Sequence, residues 1–321
     1  MNNSDNIRNK RYKKDPIQES VLEIMNRTLY SKEIELIDKF SKPILPVIFI
    51  VGAQRSGTTL LMQLMTQYFE LSYPNNFIAR YWDVPYFGAM LYKNMLNNLE
   101  ENQMDLNSDL GYTKGLKGPH EFGYFWKKWF PWESWEEKKY NEVDYSILQK
   151  QLAAWESVND TPLIFKNVIQ LNSNILQLKN LFPNALFIFI KRNLIYNVQS
   201  TYQSRIKLFG NTEEWFGVKP SNYNSLKKLP IIEQITKQIV STNAEIDNQL
   251  ARIDSDSYID LKYEDLVQDK TNILKQIEFK LQGLIKSKPI SLETYSLKNG
   301  NTQKVENKIF KEIEKYCKIF I

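Results

Sequence analysis

The fold is decided by the stretch VIFIVGAQRSGTTLLMQLM, residues 47–65. Five apolar residues are followed by Gly52, by Gly57 and by an amphipathic run with leucines at helical spacing. This pattern predicts a buried strand, a tight turn bounded by glycines, and a helix. Glycine has no Cβ, so at both positions the backbone can turn sharply and approach a ligand closely.

The start of the predicted helix is suited to binding an anion. The amides of Ser56–Thr59 would point outward from the helix N-terminus, where the partial positive charge favours a phosphate-like group. An ordinary nucleotide triphosphate loop needs a lysine directly after its second glycine. Thr58 occupies that position here, and the cation lies earlier, at Arg55. We therefore expect a phosphate cradle without the usual lysine.

Two further apolar strands end in basic residues. TPLIFK ends at Lys166, and ALFIFIKR ends at Lys191 and Arg192, with Asn193 as a candidate cap for the next helix. Continuous apolar strands that alternate with helices predict a parallel sheet covered on both faces, a P-loop-like three-layer α/β/α fold. Ligands of such sheets bind at the carboxyl ends of the strands, where these basic residues are predicted to lie.

The sequence RSGTTLL after an apolar strand resembles the 5′-phosphosulfate loop of sulfotransferases, which use 3′-phosphoadenosine 5′-phosphosulfate (PAPS). The resemblance implies the donor, and the sequence does not identify the acceptor. It implies that five consecutive residues contact the 5′ end of PAPS: Arg55, Ser56, Gly57, Thr58 and Thr59.

The segment PNALFIFIKRNLIYNVQSTYQSR resembles the 3′-phosphate motif of the same family, in which a serine follows an arginine by eight residues. Arg192 and Ser200 have that spacing. A guanidinium pairs with phosphate through two hydrogen bonds, and a hydroxyl adds a further donor. The resemblance also implies that Tyr263, in KYEDL, lies near the adenine. LKNGN weakly resembles the loop that closes over the 3′-phosphate, with Lys298 as its cation.

The general base is left open between two residues. Some family members carry a catalytic histidine two residues after the lysine at the end of the third strand, but Val168 stands there. GPHEFGYFW resembles the acidic segment of bacterial members, which implies Glu121 as the base. His120, the only histidine, is the alternative; if both lay on a helix, only one would face the acceptor. Lys166 and Arg55 would stabilise the charge that develops during transfer.

Four tryptophans follow that segment, at positions 126, 129, 132 and 135. Tryptophans mostly pack in protein cores, so a core segment is one interpretation. An aromatic wall over an acceptor pocket is the other, and the sequence does not distinguish them.

Composition limits the remaining functions. The chain has 321 residues, a net charge of +5 and one cysteine, so an internal disulfide is excluded and nucleic acid is not indicated. We see no signal peptide and no run long enough for a membrane span, and expect a cytoplasmic protein. Residues 1–43 are predicted to form a disordered tail, to about residue 15, and a helical extension of two helices broken near Ser31; residues 44–321 are predicted to form one sulfotransferase domain.

The resulting hypothesis is transfer of a sulfuryl group from PAPS to a hydroxyl or nitrogen of a small-molecule or carbohydrate acceptor. PAP, 3′-phosphoadenosine 5′-phosphate, would be the product, and no metal is required. A P-loop kinase acting on a small molecule is one alternative, and the missing lysine at Thr58 argues against it. A non-catalytic nucleotide-binding protein is another. The sequence does not predict the oligomeric state.

Overall fold

The strand β1 (Val47–Val51) lies inside a sheet of four parallel strands. The computed structural model describes residues 7–96, 106–132, 138–290 and 297–320. Its other strands are β4 (Leu163–Lys166), β5 (Leu186–Lys191) and β6 (Tyr258–Lys262). The sheet has the order β4-β1-β5-β6. A separate two-stranded hairpin consists of β2 (Ser108–Asp109) and β3 (Tyr112–Thr113).

Helices surround the sheet on both faces. In chain order they are α1 (Pro16–Ile37), α2 (Thr58–Tyr68), α3 (Pro85–Leu96), α4 (Gly123–Trp129), α5 (Tyr145–Asn159), α6 (Ile175–Leu181), α7 (Leu194–Phe209), α8 (Tyr223–Leu226), α9 (Ile231–Leu250), α10 (Tyr263–Gln268), α11 (Lys270–Lys280) and α12 (Asn307–Cys317).

Alternate side chains of β1 pack on opposite faces of the sheet, as the strand period of two requires. Phe49 and its neighbours on that face contact residues of α4, α5 and α6, including Trp126 and Trp155. Ile48 and Ile50 belong to the opposite cluster, with residues of α2, α10 and α11. The prediction of a three-layer α/β/α fold around a parallel sheet is therefore confirmed.

The helical extension is one continuous helix, so the prediction of two helices broken near Ser31 is wrong. Serine costs little inside a helix, and α1 is fixed to the rest of the protein on both sides of that position. Asn26 donates to the Arg80 carbonyl (2.8 Å), and the buried Glu33 accepts from the Tyr86 and Phe87 amides (3.3 and 3.0 Å). Tertiary bonds thus keep the helix intact where the sequence pattern changes.

Both ends of the chain contain structure that the sequence did not indicate. Disorder was predicted to about residue 15; residues 1–6 lie outside the described part, but residues 7–15 contact the end of α7. The polar, lysine-rich end includes α12, whose Ile313 and Cys317 pack against α7 and α9. None of the helices in the described ranges combines the length and apolar character needed to cross a bilayer.

Candidate functional site

The turn after β1 has the backbone that its glycines were predicted to allow. Gly52 has a φ of +154°, and a Cβ built on it would lie 2.6 Å from the Ile190 carbonyl oxygen. Gly57, with φ +107°, caps α2, and a Cβ there would lie 2.7 Å from the Tyr263 ring. Neither position has room for a side chain, so this turn requires glycine twice.

Asn172, which the sequence did not single out, fixes the start of this turn. Its side-chain amide donates to the Gly52 carbonyl (2.8 Å) and its oxygen accepts from the Gly52 amide (3.1 Å). Gln249 of α9 in turn donates to the Asn172 carbonyl (2.8 Å). The turn is thereby held by the segment after β4. Such a contact depends on two segments 120 residues apart, and no local pattern reveals it.

The turn leaves hydrogen-bonding groups available at the N-terminus of α2. Ser56 is fully buried, and among the described residues its Oγ has no hydrogen-bond partner. Thr58 is buried and Thr59 is half-buried on the first turn of the helix. Because an unpartnered buried hydroxyl is costly, Ser56 fits a site that is completed by an acceptor atom of a ligand.

Two arginines meet beside this turn, and we call Arg55, Arg192, Ser200 and Tyr263 the arginine cluster. Arg55 Nε donates to Ser200 Oγ (3.1 Å), and Arg192 Nη1 donates to the Arg55 carbonyl (3.2 Å). The Arg192 guanidinium also lies 4.6 Å from the centre of the Tyr263 ring. Residues from the ends of β1, β5 and β6 are thus brought together, as the sequence predicted for neighbouring strands.

The arginine cluster concentrates positive charge. Burial and then the charge of Arg192 lower the pKa of Arg55, and burial lowers the pKa of Arg192. Within the described ranges, neither guanidinium forms an ion pair with a carboxylate at salt-bridge distance. Two adjacent guanidinium groups repel each other, and a bound polyanion would relieve that repulsion.

The C-terminal loop reaches the arginine cluster through residues other than the one the sequence indicated. Lys298 is exposed, whereas Asn301 Oδ1 accepts from Arg192 Nε (2.8 Å) and the Gly300 amide donates to the Tyr263 hydroxyl (3.1 Å). Glu264 accepts from Asn301 Nδ2 (2.5 Å). The loop therefore contacts Arg192 through Asn301 and Tyr263 through Gly300, while Lys298 lies on its exposed side.

A second set of groups, which we call the lysine–glutamate pair, lies at the end of β4. Lys166 is buried, with 3% of its side chain exposed, and its Nζ donates to Glu121 Oε1. The turn of the β2–β3 hairpin adjoins this pair: a Cβ added to Gly111 would lie 3.4 Å from Glu121 Oε1, 3.7 Å from Lys166 Nζ and 3.8 Å from Thr59 Oγ1. The pair thus lies within a few ångströms of the first turn of α2.

The two candidate bases differ in their surroundings. Both precede α4 on non-helical backbone, so the helical geometry considered for them does not apply. His120 Nδ1 accepts from the Phe122 amide (2.9 Å), and burial lowers the pKa of His120 to about 4. Glu121 keeps a side chain that is 39% exposed and contacts Lys166. Of the two, only Glu121 contacts the buried Lys166, whereas His120 Nδ1 is already occupied by the Phe122 amide.

Most of the aromatic segment forms core. Trp126 and Trp129 are buried in the cluster that includes Phe49, and Trp126 packs against Phe165 with ring centres 5.0 Å apart. Trp132 packs on Tyr140, and Trp135 lies outside the described residues. The core interpretation holds for Trp126 and Trp129, because neither has exposed surface to offer an acceptor.

Comparison with known proteins identifies the family. The model of the sulfotransferase family matches residues 46–282, which include both glycines of the turn, Lys166, Arg192 and Tyr263. The chain belongs to the sulfotransferase family, whose members have the P-loop-like fold seen here. Family membership supports sulfuryl transfer over phosphoryl transfer as the reaction class.

Two curated relatives and one solved structure similar to this chain are mycobacterial proteins. The chain is 24% identical over 254 residues to the omega-hydroxy-beta-dihydromenaquinone-9 sulfotransferase Stf3 of Mycobacterium bovis and, equally, of Mycobacterium tuberculosis. The match covers 72% of this chain but only 61% of each relative's length. The crystal structure of sulfotransferase STF9 from Mycobacterium avium superposes with a TM-score of 0.50 at 14% identity, over 92% of this chain and 72% of that one.

Proposed function

We propose that the protein is a PAPS-dependent sulfotransferase that acts on a hydroxyl group of a small molecule. The observation that carries the proposal is the arginine cluster. Arg192 Nη1 donates to the Arg55 carbonyl (3.2 Å), and neither guanidinium pairs with a carboxylate among the described residues. A nucleotide with phosphate groups at both its 3′ and 5′ positions would neutralise both. PAPS, when bound, supplies the sulfuryl group, and PAP remains.

The residues divide between the two ends of this nucleotide. Arg55, the Ser56 hydroxyl and the amides at the start of α2 would hold the 5′ side, where a helix N-terminus favours negative charge. Arg192 and Ser200 would hold the 3′-phosphate. Tyr263 closes the site from the β6 side, since its ring lies against Gly57 and beneath Arg192.

The lysine–glutamate pair would face the acceptor. Lys166, a buried cation beside Thr59, is placed to stabilise negative charge that develops during transfer. Glu121 would act as the general base and take the proton of the hydroxyl group that is sulfated. Its carboxylate is partly open to solvent, so it can do this and keep its contact with Lys166. The weakly basic His120 would instead fix the backbone at Phe122.

For the acceptor we propose a small molecule with an accessible hydroxyl. The curated relatives are named for a hydroxylated menaquinone derivative, which is an acceptor of that type. A carbohydrate hydroxyl or an amine would need the same proton acceptor and the same cation. The approach to Glu121 beside the Gly111 turn would decide which acceptor enters.

Calorimetry separates the proposal from its alternatives. We expect the protein to bind PAP, and to bind ATP with magnesium at least about tenfold more weakly, because Thr58 replaces the lysine that a triphosphate needs. Mass spectrometry of a metabolite extract incubated with protein and PAPS should then reveal products heavier by one SO₃. Tight ATP binding would favour a kinase, and PAP binding without any sulfated product would favour a non-catalytic role.

A further inference from the structure

The β2–β3 hairpin has a turn that its sequence does not favour. Leu110 and Gly111 form the two-residue turn, with φ of +53° and +91°. Positive φ at both positions is typical of the turn that matches strand twist, but asparagine or glycine normally occupies the first position. A leucine there costs about 1 kcal/mol. Contacts outside the turn must therefore hold this hairpin in place.

Those contacts converge on one carboxylate. Asp109, directly before the turn, accepts a hydrogen bond from the Tyr12 hydroxyl (3.0 Å) and pairs with Arg11 (3.1 Å) and Lys207 (2.5 Å). The Tyr12 ring stacks on Tyr112 of β3, with ring centres 6.2 Å apart. One strand of the hairpin is held by charge and the other by an aromatic contact.

The segment that supplies Arg11 and Tyr12 is itself anchored. The Asn9 amide donates to the Leu208 carbonyl (2.8 Å), and Asn9 Nδ2 donates to the Lys207 carbonyl (2.7 Å). These carbonyls belong to the last turn of α7 and would otherwise lack partners. Residues 9–12, which we call the strap, thus connect the end of α7 to the hairpin.

We propose that the strap holds the hairpin over the lysine–glutamate pair, and that Asp109 is a positioning residue for the acceptor half of the reaction. This proposal rests on the proposed function. Its basis is that one turn, held by Asp109 on its outer side, lies within 3.4–3.8 Å of Glu121, Lys166 and Thr59 when measured from a Cβ built on Gly111. A shift of this turn by one or two ångströms would change the space in which an acceptor meets Glu121.

Two consequences follow for catalysis. The hairpin limits where an acceptor can sit relative to the pair, and orientation of this kind accounts for a large part of enzymatic rate acceleration. It also limits the access of water. If the hairpin moves away, water can take the sulfuryl group from PAPS in place of the acceptor, with sulfate and PAP as products.

The contact set is stronger than an isolated surface ion pair. Asp109 has only 26% of its side chain exposed, and three donors from two separate segments share it. Exposed single pairs contribute little, but a network with a partly buried carboxylate contributes more. Removing the charge at Asp109 would therefore release Arg11 and Lys207 together.

Two variants test the proposal. Asp109→Asn removes the charge while keeping the side-chain shape, and Tyr12→Phe removes one hydrogen bond while keeping the aromatic ring. Asp256→Asn is the matched control: it breaks an ion pair with Lys280 just before β6, at the end of that strand remote from Tyr263 and the site. Three measurements are made on the full chain: amide hydrogen exchange, PAP affinity by calorimetry, and release of sulfate from PAPS without acceptor.

For Asp109→Asn we expect amide exchange at residues 106–113 to accelerate about tenfold, and acceptor-free sulfate release to rise about fivefold. PAP affinity should stay within about twofold, because all four side chains of the arginine cluster are retained and Asp109 acts on Arg55 only through its charge. Tyr12→Phe should raise the exchange rate and the sulfate release by smaller factors, and Asp256→Asn should change neither of them. If Asp109→Asn accelerates amide exchange throughout the chain, the proposal is judged on Tyr12→Phe, which should accelerate exchange at residues 106–113 and raise sulfate release.

Equal amide exchange at residues 106–113 in Asp109→Asn and Asp256→Asn would show that the strap does not hold the hairpin. Faster exchange with unchanged sulfate release would overturn the role of Asp109 in positioning the reaction. Failure of the unmodified protein to bind PAP would instead overturn the proposed function, while the exchange comparison would still decide whether the strap holds the hairpin.

Discussion

The arginine cluster and the lysine–glutamate pair are assembled in different ways. Arg192 directly follows β5 and Arg55 lies in the turn after β1, so the parallel pairing of β1 with β5 brings them together. Glu121 and Gly111 come from loops outside the sheet and reach Lys166 only through tertiary contacts. One region follows from sheet topology, whereas the other depends on how separate segments pack.

This difference has a consequence for specificity. A site built on strand ends is rigid, because strands inside a parallel sheet cannot shift without breaking their ladder. A site built from loops and a hairpin can change its shape while the fold is retained. Donor binding should therefore tolerate few changes, and acceptor choice should be open to change through residues 108–121.

The largest effect is expected at Lys166. Lys166→Met keeps the length of the buried side chain but removes its charge, and we expect kcat to fall about a thousandfold while PAP binding is retained. Steady-state transfer from PAPS to the acceptor found by mass spectrometry measures this. Lys191→Met, at the end of β5, removes a lysine paired with Asp247 and Asp260 and should leave kcat nearly unchanged. Equal losses in both variants would contradict a special role for Lys166.

Glu121 and His120 should respond differently. Glu121→Gln retains a hydrogen bond to Lys166 but cannot take a proton, so kcat should fall about a hundredfold or more. His120→Ala should lose less than about tenfold, since burial lowers the pKa of His120 to about 4 and makes it a poor base at neutral pH. The rate at pH 7 for both variants decides between them; a larger loss in His120→Ala would reverse the assignment.

Arg192→Met should weaken nucleotide binding at the arginine cluster without changing the lysine–glutamate pair. Loss of a charge-assisted contact to a phosphate is expected to weaken PAP binding about thirtyfold, or about 2 kcal/mol. Calorimetry with PAP measures this, and the exposed Arg252→Met serves as the control. At saturating PAPS, kcat should change little, because the lysine–glutamate pair is intact. A large fall in kcat with unchanged PAP affinity would contradict the assignment of donor binding to the arginine cluster and of the transfer step to the lysine–glutamate pair.

A change remote from both regions should act on stability and leave the site intact. Burial raises the pKa of Glu33 from 4.5 to about 7, against the opposing hydrogen bonds from Phe87 and Tyr86. The folded state therefore holds this proton to higher pH than the unfolded chain does. The resulting stabilisation is complete below about pH 4.5 and is lost as the pH rises through 7.

Denaturant unfolding between pH 5 and 8 measures this. The shift limits the effect to about 3 kcal/mol, and we expect about 1–2 because relaxation reduces it. The stability of the unmodified protein should fall with pH relative to that of Glu33→Gln, which does not titrate. PAP affinity should be equal in the two proteins at each pH. A stability difference that is constant over this range would contradict the raised pKa.

The sheet could be predicted from the sequence because its signals are local. β1, β4 and β5 are short apolar runs that end in glycine or basic residues, and the predicted ends agree with the structure at Lys166 and Lys191. Asn193 caps α7 through the Ile195 amide, as its type and position suggested. α12 was missed because a short helix with many charges reads as a polar tail until its partners on α7 and α9 are known.

Arg55 and Arg192 could be expected near each other because each comes after a strand of one parallel sheet, whereas Ser200 and Tyr263 were indicated by the resemblance of their segments to sulfotransferase motifs. The hairpin could not be predicted, because strands of two residues carry no period and Leu110 is not a residue that marks a turn. Nor could Asn172, Asn301 or the strap, whose contacts join segments about 100 or more residues apart along the chain. These contacts exist only once the fold has formed.

The close approach of Gly57 and Tyr263 has an evolutionary consequence. A Cβ at position 57 would overlap the tyrosine ring at 2.7 Å, so position 57 cannot gain a side chain unless the ring moves or is replaced. Substitution of the ring by a small residue would remove the steric demand on the glycine, though the positive φ would remain. Among homologous chains, these two positions should therefore covary. A residue other than glycine at position 57 is expected only in homologues that have a small residue at position 263.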